Sequence, residues 1–210
     1  MGRTDPGLMI SLIGVIVLRM YANIVQTFQQ LWINSFREPK GPMTKEESVT
    51  LYSNISMSCD LVNIFGCVFI FVIGKHANKI PSKLILPLIF LLNGLCFMLF
   101  PFIDNPNSFF CYSVWMILTL IFLIESVSLE TFFSRIVPKD IRGLMYAAFF
   151  FTGLIGRLIN YKTSEILFEY GKNQPFLMIG YCHFGFSLFV TIMILIGKFE
   201  KKSILKVDSL

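Results

Sequence analysis

Charged and amide side chains recur at regular intervals inside otherwise apolar stretches of this sequence. Arg19, Asn23, Gln26 and Gln30 follow one another in steps of four, three and four residues, which places them on one face of a helix. Groups of this kind bind solutes or carry protons when a protein interior or a water-filled cavity surrounds them. The spacing therefore predicts a polar helix face that lines such a space.

Three later segments carry comparable faces. The second face consists of Ser53, Ser56, Asp60, Asn63 and Cys67. The third consists of Tyr112, Trp115, Thr119, Ser126 and Glu130, with Glu125 beside it. The fourth consists of Gly153, Gly156, Asn160 and Ser164, small residues that suit close approach of two helices. We expect the four segments that carry these faces to line a common space.

Four of the buried charges are expected to pair, because an isolated charge in a low dielectric is strongly disfavoured. Counted from the ends of their segments, Arg19 lies at a depth similar to that of Glu125, and Asp60 at a depth similar to that of Arg157. We therefore expect the ion pairs Arg19–Glu125 and Asp60–Arg157. Such pairs either hold helices together or bind substrate or protons, and the sequence leaves both roles open.

The composition indicates which elements position these groups. The 210 residues are 55% hydrophobic and 15% charged, with a mean hydropathy of +0.69, whereas soluble domains carry about 25% charged residues. Segments of roughly 20 apolar residues span a bilayer as helices. We predict an all-α membrane protein with six transmembrane helices in a single domain, at residues 8–36, 47–73, 84–100, 109–133, 143–168 and 175–196, and a basic cytoplasmic tail at residues 197–210.

Six spans fill the chain, which argues against most enzymes and nucleic-acid binders. We therefore expect no enzymatic activity, no catalytic residues, no metal and no cofactor. A capping box of Thr44 and Glu47 predicts the start of the second span. Two spans, the third and the sixth, carry few polar side chains and are expected to face lipid as outer supports. His183, on the sixth, is expected to be hydrogen-bonded within the bundle.

Basic residues predict the orientation. One face of the six-span arrangement collects Arg3, Lys75, Lys79, Lys83, Arg135, Lys139, Arg142, Lys198, Lys201, Lys202 and Lys206. The opposite face has fewer bases, and Glu38, Glu46, Glu47 and Asp104 dilute them. Cytoplasmic loops are enriched in Lys and Arg, so we expect a multi-pass protein with both termini in the cytoplasm.

The loop after the second span carries a family motif. Residues 74–83 read GKHANKIPSK and resemble the G-x-x-x-D-R/K-x-G-x-R/K pattern between the second and third helices of a major facilitator superfamily half, with Asn78 in place of Asp and Pro81 in place of Gly. The resemblance implies a cytoplasmic hinge formed by Gly74, Asn78, Lys79 and Lys83. Plain topology signalling is the alternative role for these bases.

Two further stretches extend the resemblance over nearly the whole chain. Pro138-x-x-x-Arg142-Gly143 looks like the segment before the eleventh helix of that family, and the polar first span ending in Trp32 looks like a seventh helix. The chain thus resembles the C-terminal six-helix half of a major facilitator superfamily transporter. This resemblance implies a 3+3 inverted repeat and a substrate held near the membrane midplane.

The resemblance also implies which residues bind substrate, because the first and fourth helices of a half line the cavity in that family. The residues so implied are Arg19, Asn23, Gln26, Gln30, Tyr112, Trp115 and Thr119. Amides and hydroxyls with aromatic walls suit a small polar organic solute, and Arg19 would favour an anionic one. For Tyr112 and Trp115, an aromatic belt at the membrane interface is the alternative.

Two classes of function stay open at this point. The first is a secondary active transporter, or half of one, that works by alternating access beside a second six-helix half from the same or a different chain. The second is a non-transporting membrane scaffold or regulatory subunit, or a truncated transporter fragment. The expected partners are the lipid bilayer, a small-molecule substrate and the second half, with no nucleic acid.

Overall fold

A computed structural model describes residues 5–37, 43–77 and 82–199, and this part of the chain forms helices and no strand. The α-helices are α1 (Pro6–Asn23), α2 (Gln29–Asn34), α3 (Lys45–Ala77), α4 (Ser82–Phe97), α5 (Phe109–Ile136), α6 (Arg142–Tyr170) and α7 (Gln174–Leu195). A π-helical turn, Ile24–Phe28, joins α1 to α2, and 3₁₀ turns occupy Phe100–Phe102 and Lys139–Ile141.

Side-chain caps begin three of these helices. Asp5 accepts a hydrogen bond from the Gly7 amide at 2.9 Å, before α1. The Thr44–Glu47 capping box is confirmed: the Thr44 amide donates to the Glu47 carboxylate at 2.7 Å, and the Glu47 amide donates to the Thr44 hydroxyl at 3.3 Å. Ser108 caps α5 by accepting from the Cys111 amide at 3.2 Å. Each cap satisfies amides that have no partner in the first helical turn.

Five helical segments are long and apolar enough to cross a membrane: Lys45–Val72, Lys83–Phe102, Phe109–Ile136, Lys139–Tyr170 and Gln174–Leu195. The prediction of an all-helical chain is confirmed, and the length and composition of these five helices agree with a multi-pass membrane protein. The first predicted span differs, because the π-helical turn interrupts it and leaves Pro6–Ala22 as a shorter apolar helix. A sixth crossing at this segment stays a prediction.

Contacts at the two ends of the bundle show how the helices alternate in direction. At one end, the Lys172 ammonium lies 3.3 Å from the centre of the Phe36 ring. This contact joins the end of α2 to the α6–α7 turn. Burial lowers the pKa of Lys172, and the Asp104 carboxylate of the α4–α5 connection opposes that shift. At the other end, Phe132 stacks on Phe199 with ring centres 4.9 Å apart. The connections that were expected on the same side of the membrane therefore lie at the same end of the bundle.

The α1–α6 pair packs through the predicted glycine face. A Cβ atom at Gly156 would lie 2.6 Å from the Ile16 carbonyl oxygen, so only glycine allows this approach of the two backbones. One turn further along α6, the Asn160 side-chain amide donates to the Met20 carbonyl at 3.0 Å, and Ser164 donates to Asn160 at 2.9 Å. The expected close approach at this face is confirmed, with α1 as its partner.

The α4–α7 pair also packs closely, although its glycine contact is less tight than that of α1 and α6. A Cβ atom at Gly94 would lie 3.1 Å from the Gly180 carbonyl oxygen. The Ser187 hydroxyl donates to the Pro87 carbonyl of α4 at 2.7 Å, which adds a polar link between the helices. Small residues and interhelical hydrogen bonds are the usual means by which helices associate in lipid.

Burial differs strongly among the helices. In the most apolar stretch of α4 and of α7, 39% of the residues are buried, against 17% for α3. Helix α3 packs on α2 and α5 and leaves large side chains uncovered, among them Phe65, Phe69 and Phe71. In the described part of the chain, α3 rather than α4 or α7 is therefore the most exposed helix.

Glycine-to-alanine substitutions test the α1–α6 contact. Gly156→Ala forces the Ile16 backbone to move, and we expect it to reduce the free energy of unfolding by about 1–3 kcal/mol. Gly185→Ala on α7 is the matched control, because nothing lies within 4 Å of its added methyl group. Alanine stabilises a helix interior by about 0.5–1 kcal/mol over glycine, so Gly185→Ala should be neutral or stabilising. Thermal unfolding in mild detergent measures both, and equal effects would contradict the packing.

Candidate functional site

A cavity of about 360 Å³ lies between the first helical segment, α3 and α5. Its lining is mostly polar or aromatic and consists of Tyr21, Ala22, Gln29, Tyr52, Ser56, Cys59, Asp60, Asn63, Thr119 and Phe122. Three of the four segments that were expected to line a common space contribute to it. Helix α6, the fourth, uses its polar face for packing on α1 instead.

The π-helical turn decides which residues of the first segment reach the cavity. A turn with i→i+5 hydrogen bonds takes in one more residue than an α-helical turn. As a result Tyr21 and Gln29, eight residues apart, lie about two turns apart on the same face, and both line the cavity. Gln30, which a regular period of 3.6 residues aligns with Arg19, is exposed and is not part of the lining.

Gln29, like Tyr21 and Ala22, is a lining residue of this segment that the sequence did not single out. The Gln29 side chain is only 2% exposed, and its amide nitrogen has no hydrogen-bond partner among the described residues. A buried donor without an acceptor is uncommon in a folded protein and points to a missing partner. A regular helical period does not predict Gln29 as a lining residue, because the π-helical turn breaks the period just before it.

Aromatic residues from α1 and α5 form one wall. The Tyr21 ring stacks on Phe122, with ring centres 4.2 Å apart and the planes inclined by 19°. Thr119 lies one turn before Phe122 and donates its hydroxyl proton to the Trp115 carbonyl at 2.9 Å. Thr119 is the one residue of the implied substrate-binding set that is found among the described cavity-lining residues.

Helix α3 supplies the most polar wall. Ser56, Asp60 and Asn63 follow the predicted spacing and all line the cavity. Asp60 lies fifteen residues after Lys45 and seventeen before Ala77, so its carboxylate is near the middle of the helix. It is exposed at the open side of the cavity and carries the one formal charge among the described lining residues.

The charges expected to pair with each other do not. Arg19 packs beside Gly153 with its guanidinium 5.7 Å from the centre of the Phe150 ring, and it interacts electrostatically with Arg157 and Glu130. Neither Arg19–Glu125 nor Asp60–Arg157 is a salt bridge in the described structure. The reason is rotation about the helix axes: Arg19 faces α6, and α3 packs on α2 and α5. Equal depth in the membrane did not bring the partners to the same interface.

Glu125 instead belongs to a buried polar cluster with Asn93 and His183. The three side chains come from α4, α5 and α7 and are completely buried. The Asn93 amide donates to one Glu125 oxygen, and His183 Nε2 lies 3.2 Å from the other. His183 Nδ1 lies 2.9 Å from the Ile179 carbonyl, to which it donates. The expected hydrogen bonding of His183 within the bundle is confirmed.

His183 Nε2 also lies 3.2 Å from the Asn93 side-chain nitrogen, so the three side chains form one polar network between α4, α5 and α7. Polar neighbours on both sides reduce the penalty of burying a carboxyl group away from water.

Trp115 and Tyr112 lie near the cavity but outside its lining. Trp115 is completely buried, with its ring centre 5.0 Å from that of Phe100 and 6.3 Å from that of Trp32. Tyr112 is half-buried and packs against the same aromatic cluster. The environment of Trp115 is therefore a protein core and not a membrane interface.

Several predicted residues cannot be placed in the site. The side chains of Asn23 and Gln26 lie outside the described part of the structure, as do Asn78 and Lys79 of the hinge motif. The backbone of Gly74 belongs to the last turn of α3, and Lys83 is exposed at the start of α4. Among the described residues, no three His, Cys, Asp or Glu side chains are grouped as metal ligands.

Comparisons of the chain with protein-family models, with curated proteins and with solved structures find no match. The interpretation of the cavity accordingly depends on its own geometry and on the motifs of the sequence. That geometry offers hydrogen-bonding groups, aromatic rings and a single carboxylate around a space of small-molecule size. A space of this kind is suited to reversible binding of a solute.

A double-mutant cycle separates the observed pair from the one expected by depth. Glu125→Gln and His183→Gln should each destabilise the protein, and their coupling should amount to about 0.5–3 kcal/mol because the side chains are in contact. Arg19→Gln should be additive with Glu125→Gln to within about 0.5 kcal/mol. Unfolding in detergent gives the four free energies of each cycle. Strong coupling of Glu125 to Arg19, with none to His183, would contradict the structure.

Proposed function

We propose that the chain is one six-helix half of a secondary active transporter that moves a small polar organic solute by alternating access. The observation that most strongly supports this proposal is the cavity between α1, α3 and α5, which has polar side chains near the middle of apolar helices. Transporters that are built from repeated halves hold their substrate near the bilayer midplane, between the halves. The family resemblance of the loop motif supports the same assignment.

Asp60 gives the strongest physical reason for a water-filled or protein-covered space. A carboxylate in the middle of a membrane helix is strongly disfavoured against lipid and marks a functional path when it occurs. Asp60 is exposed on the described chain, and the neighbouring Leu61, Ile64 and Phe65 are exposed as well. A second six-helix half over this face would enclose the carboxylate and bury the apolar residues around it.

The pairing of the helices supports an inverted repeat. If α5, α6 and α7 repeat the first segment, α3 and α4, the α1–α6 contact must have the α3–α5 contact as its counterpart. The repeat exchanges α4 with α7 and α1 with α5, so each of these two pairs must be in contact across the repeat axis. All four of these contacts are present in the bundle, and they agree with a 3+3 arrangement. The α6–α7 contact would need an α3–α4 counterpart, which is not among the extensive contacts of the described residues.

The proposed binding residues differ from those implied by the resemblance. Thr119 is kept, and the π-helical turn brings in Tyr21 and Gln29 from the first segment. Helix α3 adds Asp60 and Asn63. Of the remaining described candidates, Arg19 packs on α6, Trp115 and Tyr112 pack in the aromatic cluster, and Gln30 is exposed.

Filling the cavity tests the proposal. Ala22 lines the cavity, so Ala22→Leu should exclude the solute, whereas Ala147→Leu on the exposed face of α6 is a control of equal size. A ligand at a hundred times its Kd stabilises a protein by about 2.7 kcal/mol. We expect at least one class among sugars, amino acids, organic anions and organic cations to raise the Tm of the wild type. The same solute should enter proteoliposomes that contain the chain and any second half that co-purifies with it, and Ala22→Leu should lose both effects.

Two results would contradict the transporter assignment. The first is a wild type that none of the four classes stabilises. The second is a solute that binds but is not taken up by proteoliposomes, with or without a co-purified second half, as expected of a non-transporting subunit. Retention of the full thermal shift by Ala22→Leu would show that the solute binds elsewhere.

We further propose that both termini face the cytoplasm, as the distribution of Lys and Arg favours. Asp104→Cys lies in the α4–α5 connection and should react with a membrane-impermeant maleimide on intact cells. Lys139→Cys, in the α5–α6 connection, should react only after permeabilisation. The wild type, whose five cysteines lie in the apolar segments, measures the background labelling. The reverse pattern of labelling would contradict this orientation.

A further inference from the structure

We infer that the cavity selects a small organic cation, an amine that is protonated at neutral pH and is carried on an aromatic or apolar body with a hydrogen-bond acceptor. This inference deepens the proposed function, because it concerns the same cavity and names the chemical class of its solute. It depends on three separate features of the lining: its charge, its aromatic rings and its unpartnered amide.

The charge of the lining is negative. Asp60 contributes a carboxylate, and the other described titratable groups that line the cavity are Tyr21, Tyr52 and Cys59, which are ordinarily neutral at pH 7. No Lys, Arg or His is found among the described lining residues. An ammonium group would therefore meet an opposite charge with no competing cation.

The nearest intramembrane bases are turned away from this space. Arg19 lies under the Phe150 ring on the α6 side of α1, and Arg157 is on α6 itself. His183 is completely buried with Glu125 between α4, α5 and α7. Arg19 was the reason to expect an anionic solute, and its position removes that reason.

The aromatic rings favour a cation as well. Tyr21 and Phe122 are stacked on the α1–α5 side, and Tyr52 lies on α3. The face of an aromatic ring attracts a cation, and the attraction grows when the cation is removed from water. The same rings would pack against the aryl or alkyl body of the solute. Both the ammonium group and the apolar body of an amine would therefore contact a suitable part of the lining.

The Gln29 amide specifies an additional group on the solute. Its nitrogen is a buried donor with no acceptor among the described side chains and backbone. A hydroxyl, ether or carbonyl oxygen on the solute would satisfy this donor. Gln29 comes from the first segment and Asp60 from α3, so an amine and an acceptor on one solute would connect the two walls.

Three probes of nearly equal shape test the charge preference. Tyramine carries an ammonium group, 4-(2-hydroxyethyl)phenol carries a neutral hydroxyl, and 3-(4-hydroxyphenyl)propionate carries a carboxylate on the same ring. We expect the purified protein to bind tyramine at least tenfold more tightly than the neutral probe, and the anionic probe least, measured by isothermal titration calorimetry in mild detergent. Tighter binding of the neutral or the anionic probe would overturn the inference, as would the failure of all three to bind at millimolar concentration.

Substitutions of single carboxylates test whether Asp60 causes the preference for a cation. Asp60→Asn should weaken tyramine binding at least tenfold and remove the preference over the neutral probe, and Asp60→Glu should restore a large part of it. Glu130→Gln is the matched control, because Glu130 is another carboxylate within a membrane segment but does not line the cavity. Its tyramine affinity should stay within twofold of the wild type. Unchanged tyramine affinity in Asp60→Asn would overturn the inference.

The outcomes also separate this inference from the transporter proposal. If a sugar or an organic anion binds, is taken up and is lost in Ala22→Leu, the transporter proposal stands and the cation inference falls. If tyramine binds with the Asp60 dependence but is not taken up by proteoliposomes, the cation site stands and transport falls. Gel filtration and the Tm of each variant without ligand show that the fold is intact.

Discussion

The buried cluster of Asn93, Glu125 and His183 is the interaction on which the arrangement of the bundle depends. A carboxyl group that is completely removed from water needs a partner, and Glu125 has partners on both α4 and α7. This requirement sets the rotation of α5 about its own axis. Thr119 lies six residues before Glu125, about 120° around the helix. Once Glu125 faces α4 and α7, Thr119 is turned towards α1 and α3, where the cavity lies. The cluster therefore orients the site without being part of it.

The close helix pairs complete the framework around that cluster. Gly156 allows α6 to approach α1, and Gly94 allows α4 to approach α7, because a Cβ atom at either position would press against the backbone of the partner. Among the described residues, α3 makes its extensive contacts with α2 and α5. It carries its apolar residues and Asp60 on an uncovered side. Packing thus divides the bundle into a tightly joined part and one helix whose polar face stays open to the cavity.

The π-helical turn between α1 and α2 links a local irregularity to the chemistry of the cavity. The additional residue in that turn brings Tyr21 and Gln29 to one face, and it turns Gln30 outwards. Turns of this type are rare in proteins, and many of those that are known lie at functional sites. Here the turn places a buried amide donor in the lining of the same cavity as a carboxylate. The electrostatic character of the site comes from Asp60, while Arg19 packs against α6.

The sequence by itself determined the helical class, the apolar segments, the Thr44–Glu47 cap, the glycine face of α6 and the polar face of α3. These features follow from composition, periodicity and local hydrogen bonding, all of which act between residues close together in the chain. The partners of the charged groups were decided only by the tertiary structure. Depth along a helix can be counted from the sequence, but rotation about the helix axis depends on how all the neighbours pack. For this reason Glu125 contacts His183 and not Arg19, and Gln29 rather than Gln30 lines the cavity.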